Sequence, residues 1–206
     1  MTQSQELDVE TYKLSIIPSM TKTFLEIGTC DFDTLLPLCA NGWRGYFVEP
    51  IYEYAKNVAD ECKKNNYRAT VTCCAISSYD GELEMYVSND EGGPSGWSKG
   101  ISHAVNQKGE KLLEYEDNKF LLKEIKKVPC YTLDTFLNDN NINDLDYLKI
   151  DVEGHETDII EAYSWRVKPT VIKLEHLHID DINMKRILEE QGYIVYVEQN
   201  DIYAVR

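Results

Sequence analysis

Three stretches of the chain concentrate residue types that can do chemistry. In Tyr147-Leu-Lys-Ile-Asp-Val-Glu-Gly-His-Glu156, an apolar run ends in Asp151, Glu153 and His155. Ligands in open α/β sheets bind outside the carboxyl ends of the strands, so ionisable groups just past a strand are candidates for catalysis. Helix-start acids explain Glu156 well, but not the whole cluster. A second run, Lys173-Leu-Glu-His-Leu-His178, carries Glu175, His176 and His178 in the same kind of place. Such groups can bind a metal or move a proton. Two histidines one residue apart are more often surface groups than ligands, and no ligand spacing surrounds Asp151. No resident metal is therefore expected.

The third stretch is Glu26-Ile-Gly-Thr-Cys-Asp31, with Glu49 downstream. A strand ending in glycine, then a helix, then an acid about 20 positions on is the logic of a nucleoside site. The glycine lets backbone and ligand approach, and the acid grips ribose hydroxyls. Asp31 and Asp33 stand where a phosphate loop would carry small neutral residues, and they would repel a pyrophosphate. A nucleoside without phosphates, and better a cationic one, fits this entrance. S-adenosylmethionine (SAM) has the ribose, the sulfonium and the ammonium.

These groups need a scaffold, and the hydropathy pattern supplies one. Thr23 to Ile27 and Gly45 to Glu49 read as short buried strands. Asp31 to Ala40 can be helical. The segment from Pro50 to Lys64 is a helix with Tyr54, Val58 and Cys62 along one face. Arg68 to Ser77 reads as one strand, and Asp80-Gly81 as a hairpin turn into Glu82 to Val87. Val128 to Leu133, Tyr147 to Asp151 and Thr170 to Glu175 read as strands. Leu133 to Leu137 starts a short helix. Glu156 to Ala162 and Asp181 to Gln191 are helices, and Tyr193 to Val197 with Ile202 to Val205 form a closing hairpin. Alternating strands and helices predict a mostly parallel sheet covered on both faces. The hairpin adds an antiparallel strand near one edge. The chain reads as one domain over 1–206. Within it, 88–127 is a polar insertion, helical around Lys111 to Lys126, of the kind that serves as a lid or substrate segment. Trp97 and His103 lie within it.

With 206 residues, the chain is long enough for one sizeable core. Its 21 Lys and Arg against 36 Asp and Glu give a net charge of −15, which argues against a duplex nucleic-acid partner or an anionic membrane surface. No apolar run approaches the ~20 residues that span a bilayer. The polar first ten residues carry no export signal, and the six cysteines show no zinc spacing, so reduced thiols and a cytoplasmic location are expected.

Taken together, Phe24-Leu-Glu-Ile-Gly28, Gly45-Tyr-Phe-Val-Glu-Pro50, Cys74-Ala-Ile-Ser77 and the Leu148-Lys-Ile-Asp-Val-Glu-Gly-His-Glu156 block resemble the FkbM family of SAM-dependent methyltransferases. Leu133-Asp134 and Lys173-Leu-Glu-His176 extend the resemblance over residues 22–180. It implies a class I methyltransferase (Rossmann-like) fold and O-methylation of a hydroxyl on a sugar, glycan or small metabolite. It further implies that Glu26 and Gly28 line the methionine end of SAM, Glu49 its ribose and Ala75 its adenine, with Asp151 beside the transferring methyl. Thr29 to Asp33 depart from the family pattern. Asp151, Glu153, His155, His176 and His103 are the candidate bases, since a sugar hydroxyl must lose its proton during attack. A divalent ion on Asp151, Glu175 or His176 is a second route to an activated hydroxyl. The rival reading is a non-catalytic SAM-binding or partner-binding module on the same fold.

Overall fold

The computed structural model describes residues 22–30, 34–88, 102–105 and 122–206. A seven-stranded sheet forms its centre. Five strands run parallel: β1 (Thr23–Ile27), β2 (Arg44–Val48), β3 (Ala69–Thr72), β8 (Tyr147–Ile150) and β9 (Val171–Glu175). The last two strands, β10 (Ile194–Glu198) and β11 (Asp201–Val205), complete the spatial order β10-β11-β9-β8-β1-β2-β3. The closing hairpin forms one edge of the sheet, as expected. β11 inserts antiparallel between β9 and β10, leaving β10 outermost.

Alternation along these strands divides the core in two. Leu25, Ile27, Val48, Leu148 and Ile150 face one side. There they pack under α3 (Leu133–Asp139), α4 (Glu156–Ala162) and α5 (Asp181–Glu190) through Phe136, Ile160 and Leu188. Phe24, Phe47 and Tyr147 face the other side. They meet Cys39 of α1 (Leu36–Ala40) and Val58 and Cys62 of α2 (Tyr52–Lys64). The spacing of Tyr54, Val58 and Cys62 predicts this helix face, and all three are buried.

A second, four-stranded sheet overturns parts of the expected layout. The stretch read as one strand breaks at Cys73 and Cys74. Its first half is β3, while its second half, β4 (Ala75–Ser77), leaves the large sheet. β5 (Gly81–Ser88) follows the Asp80-Gly81 turn but does not pair with β4. β7 (Leu122–Thr132) lies between them, parallel to β4 and antiparallel to β5. Asp80 ties this arrangement by accepting from the Thr132 N–H at 2.7 Å and the Thr135 hydroxyl at 2.9 Å. The strand β7 also claims residues 122–126, which the charge pattern assigned to a helix. Pairing with β5, Met85 against Lys126 and Tyr86 against Ile125, sets the backbone there in place of local propensity. The short β6 (His103–Ala104) pairs with β5 at the sheet's end. The remainder of the polar insertion, Trp97 included, lies outside the described residues.

All six cysteines are free thiols. Among the described residues, no helix is long and apolar enough to cross a membrane.

Candidate active site

The sheet order reverses direction between β1 and β8, because β1 connects onward to β2 while β8 lies on its other flank. At the carboxyl ends of these strands opens a cleft, the place where open α/β sheets bind small molecules. Gly28 and Asp151 form its floor, and Glu49 closes the end of β2. Ile51, Tyr54, Ile76, Leu83 and Met85 make an apolar wall, and Ser102 and Ala104 contribute from the insertion.

Gly28 sits at φ +79°, and a Cβ there would lie 1.7 Å from the Asp151 carbonyl oxygen. Only glycine lets the two strand ends abut, locked by the Asp151 N–H donating to the Ile27 carbonyl at 3.0 Å. Cys30 follows at φ +49°. Its N–H donates to Glu49 Oε2 at 2.7 Å, and the Ile51 N–H donates to Oε1 at 2.8 Å. Glu49 therefore staples the β1 loop to the start of α2 while lining the cleft. Glu26 has a different setting. It is fully buried, accepting from Lys149 Nζ at 3.0 Å and from the Leu35 N–H at 2.9 Å. It is absent from the cleft lining and acts as an anchor for the loop that Gly28 begins. Ala75, the first residue of β4, lines the cleft.

Residues 26–195 match the methyltransferase FkbM domain family. The chain belongs to that family. No curated protein matches it. Among solved structures, the FkbM chain is similar to magnesium protoporphyrin IX methyltransferase from Synechocystis with bound SAM, at TM-score 0.54 and 10% identity over 98% of this chain and 78% of that one. It is also similar to precorrin-6y C5,15-methyltransferase from Geobacter metallireducens (TM-score 0.50, 17% identity, 96% and 85% covered). A precorrin 8w decarboxylase from Methanobacterium thermoautotrophicum gives TM-score 0.51 and 11% identity, with 99% and 89% covered. These likenesses establish a class I methyltransferase fold, and the family establishes a methyltransferase.

The loop after β8 carries Asp151, Glu153 and His155. Glu153 and Gly154 both have positive φ, 55° and 98°. Glu156 fixes the turn by accepting from the Val152 N–H at 2.8 Å and the Gly154 N–H at 3.0 Å. Its carboxyl is pushed up to about 7, chiefly by burial. His155 lines the cleft, with Nε2 3.1 Å from the Ser77 hydroxyl and Nδ1 3.4 Å from Asp158. Burial holds its pKa below the usual histidine value, so the ring is neutral near pH 7.

Of the four expected catalytic residues, Asp151 and His155 reach the cleft wall. His176 does not. Its Nε2 lies 2.9 Å from the Gln199 carbonyl, tying β9 to the β10–β11 turn. His103 is wholly buried, its ring tilted against that of Tyr86 at 5.5 Å, while its neighbours Ser102 and Ala104 face the cleft. Strand alternation sends its ring the other way. Glu153 instead joins Glu175 and His178, whose ligand atoms lie within 4.8 Å of one another. Burial, then the neighbouring acids, raises Glu153 and Glu175 to about 8. Sequence spacing does not reveal this group, because a left-handed loop turn brings Glu153 to the end of β9. The apolar wall was equally missed, although Leu83 and Met85 alternate visibly along β5.

Proposed function

We propose that the chain catalyses SAM-dependent O-methylation of a hydroxyl on a sugar, glycan or small metabolite. The observation that supports it most is that Glu49, at the end of β2, and Asp151, at the end of β8, line one cleft on either side of Gly28. A carboxylate offers about four acceptor sites, so Glu49 can hold the Cys30 and Ile51 amides and still accept from ribose hydroxyls. Ile51, Tyr54, Ile76, Leu83 and Met85 suit an adenine ring, and the negative floor suits a sulfonium. SAM supplies a methyl on cationic sulfur, delivered to the acceptor oxygen as the C–S bond breaks with its electron pair left on sulfur.

The chain's own part is alignment and proton removal. Both ring nitrogens of His155 are engaged by Ser77 and Asp158. Asp151 therefore takes the hydroxyl proton as the O–C bond forms, and His155 orders the wall beside it. The 88–127 insertion supplies the acceptor side, since Ser102 and Ala104 within it line the cleft. Six free cysteines suit a reducing, cytoplasmic setting.

Calorimetry with SAM tests the cofactor half of this reading. Glu49→Ala should weaken SAM by about 1.5–3 kcal/mol, the range for charge-assisted hydrogen bonds. Unchanged affinity in a folded variant would remove Glu49 from the ribose site. Tighter binding of NADH than of SAM by the wild type would overturn the reading as a whole.

A further inference from the structure

Glu153, Glu175 and His178 come from three separate segments: the turn after β8, the end of β9, and the link into α5. Their ligand atoms nevertheless converge within 4.8 Å of one another. An ion with bonds of about 2.1–2.4 Å separates its own ligand atoms by at most roughly 4.2–4.8 Å. The three ligand atoms are thus near enough for small side-chain rotations to close them on one ion. His178 Nε2 lies 3.6 Å from Glu153 Oε2, beyond a hydrogen bond. Glu175 Oε2 is sealed from solvent and has no hydrogen-bond partner among the described residues. A buried carboxylate oxygen without a donor is costly to leave so. Lys149 lies 3.0 Å from Glu26, and Lys173, whose charge also reaches Glu175, lies 3.2 Å from Asp201. The pocket brings two carboxyl groups and an imidazole together, with Glu175 lacking a hydrogen-bond partner at its inner oxygen.

We infer that Glu153, Glu175 and His178 form a binding site for a divalent cation of the magnesium–manganese class. Two carboxylates and one imidazole leave ligand positions open on such an ion, which favours six. Asp151 lines the cleft and its charge reaches both Glu153 and Glu175, which sets the cation site beside the cleft floor. The inference rests on the methyl-transfer reading for its substrate class: an acceptor hydroxyl with a second oxygen on the adjacent carbon. Such a pair binds the ion through both oxygens, and the hydroxyl proton passes to Asp151.

Manganese itself is the probe, and neither SAM nor acceptor is needed. Electron paramagnetic resonance of the full chain titrated with Mn²⁺ should show one bound ion. In wild-type protein, the ring proton signals of His178 should broaden on adding Mn²⁺ more than those of His155. The E175Q/H178A double variant should weaken Mn²⁺ at least tenfold while SAM affinity by calorimetry stays within a few-fold. H178D, which keeps an oxygen ligand on a half-exposed link, should retain binding. No Mn²⁺ bound at millimolar concentration, or equal binding by wild type and the double variant, overturns the site. Equal broadening of the His155 and His178 signals overturns it also, without any variant having to fold. Failure to bind SAM with Mn²⁺ binding intact would strike the methyl-transfer reading and leave the cation site standing.

Discussion

The Glu26–Lys149 pair offers a sharp test of what positions the cleft. The two side chains meet at 3.0 Å across the β1–β8 seam, 0% and 5% exposed. Removing one member of a buried pair costs about 3–5 kcal/mol, because a charge stays in the core without its counter-charge. Glu26→Gln keeps an oxygen for the Leu35 N–H, so its loss isolates the charge. Lys149→Met removes the cation and keeps the length of the side chain. Each single variant should lose about 3–5 kcal/mol in urea denaturation. At about 2–4 °C per kcal/mol for a chain of this size, the midpoint falls by roughly 6–20 °C. The double variant, with neither charge, should recover most of that loss, giving a coupling energy of several kcal/mol. SAM affinity should change less than tenfold in every variant that folds. If the singles lose under about 1 kcal/mol while SAM affinity falls tenfold or more, Glu26 is a cofactor ligand and the anchor argument is wrong.

Three further outcomes follow from the same geometry. Gly28→Ala puts a methyl 1.7 Å from the Asp151 carbonyl and demands a left-handed backbone of alanine, so it should either unfold the chain or abolish SAM binding, as thermal-shift measurements would show; a SAM-responsive Gly28→Ala protein of wild-type stability refutes the abutment. Asp151→Asn should lower single-turnover methyl transfer by about 10²-fold or more with SAM affinity little changed, whereas a loss within a few-fold makes the residue structural. Glu156 titrates at about 7 when folded against 4.5 in its ordinary state, so the folded chain holds this proton more tightly. Its contribution to stability is complete below pH 4.5 and is lost as pH rises through 7, by at most about 3 kcal/mol. Glu156→Gln should flatten the urea-derived stability profile between pH 5 and 8, and an unchanged slope would show that the Val152 and Gly154 amides already hold Glu156 ionised.

The large sheet was legible because its strands are short apolar runs punctuated by glycine and acids, and its helices carry a clear buried face. Gly28, Glu49 and Asp151 were legible for the same reason: each ends a run. What escaped depended on partners far along the chain. Residues 122–126 have a helix-like charge pattern but follow β5, and nothing local separates β4 from β3. Of the histidines, His155 lines the cleft, whereas His176 and His178 do not. Two positions apart along an irregular link, one ring turns to the hairpin and the other to Glu153.

The abutment of Gly28 on Asp151 also bears on how the protein assembles. One half of the large sheet, β1 to β3 with α1 and α2, is contiguous over residues 23–72, and the other half begins at β8. Thr23 and Asp146, 123 residues apart, clasp the far end of that seam through a 2.7 Å hydrogen bond. Pairings so distant in sequence are slow to form, because a long loop must close before any contact rewards it. The cleft floor joins Gly28 of one half to Asp151 of the other, and its wall adds Ile76, Leu83 and Met85 from the second sheet. A ligand seated there reads the union of the halves, so its binding energy falls wholly on the last docking step and acts as a clamp on a completed chain rather than a template for a growing one.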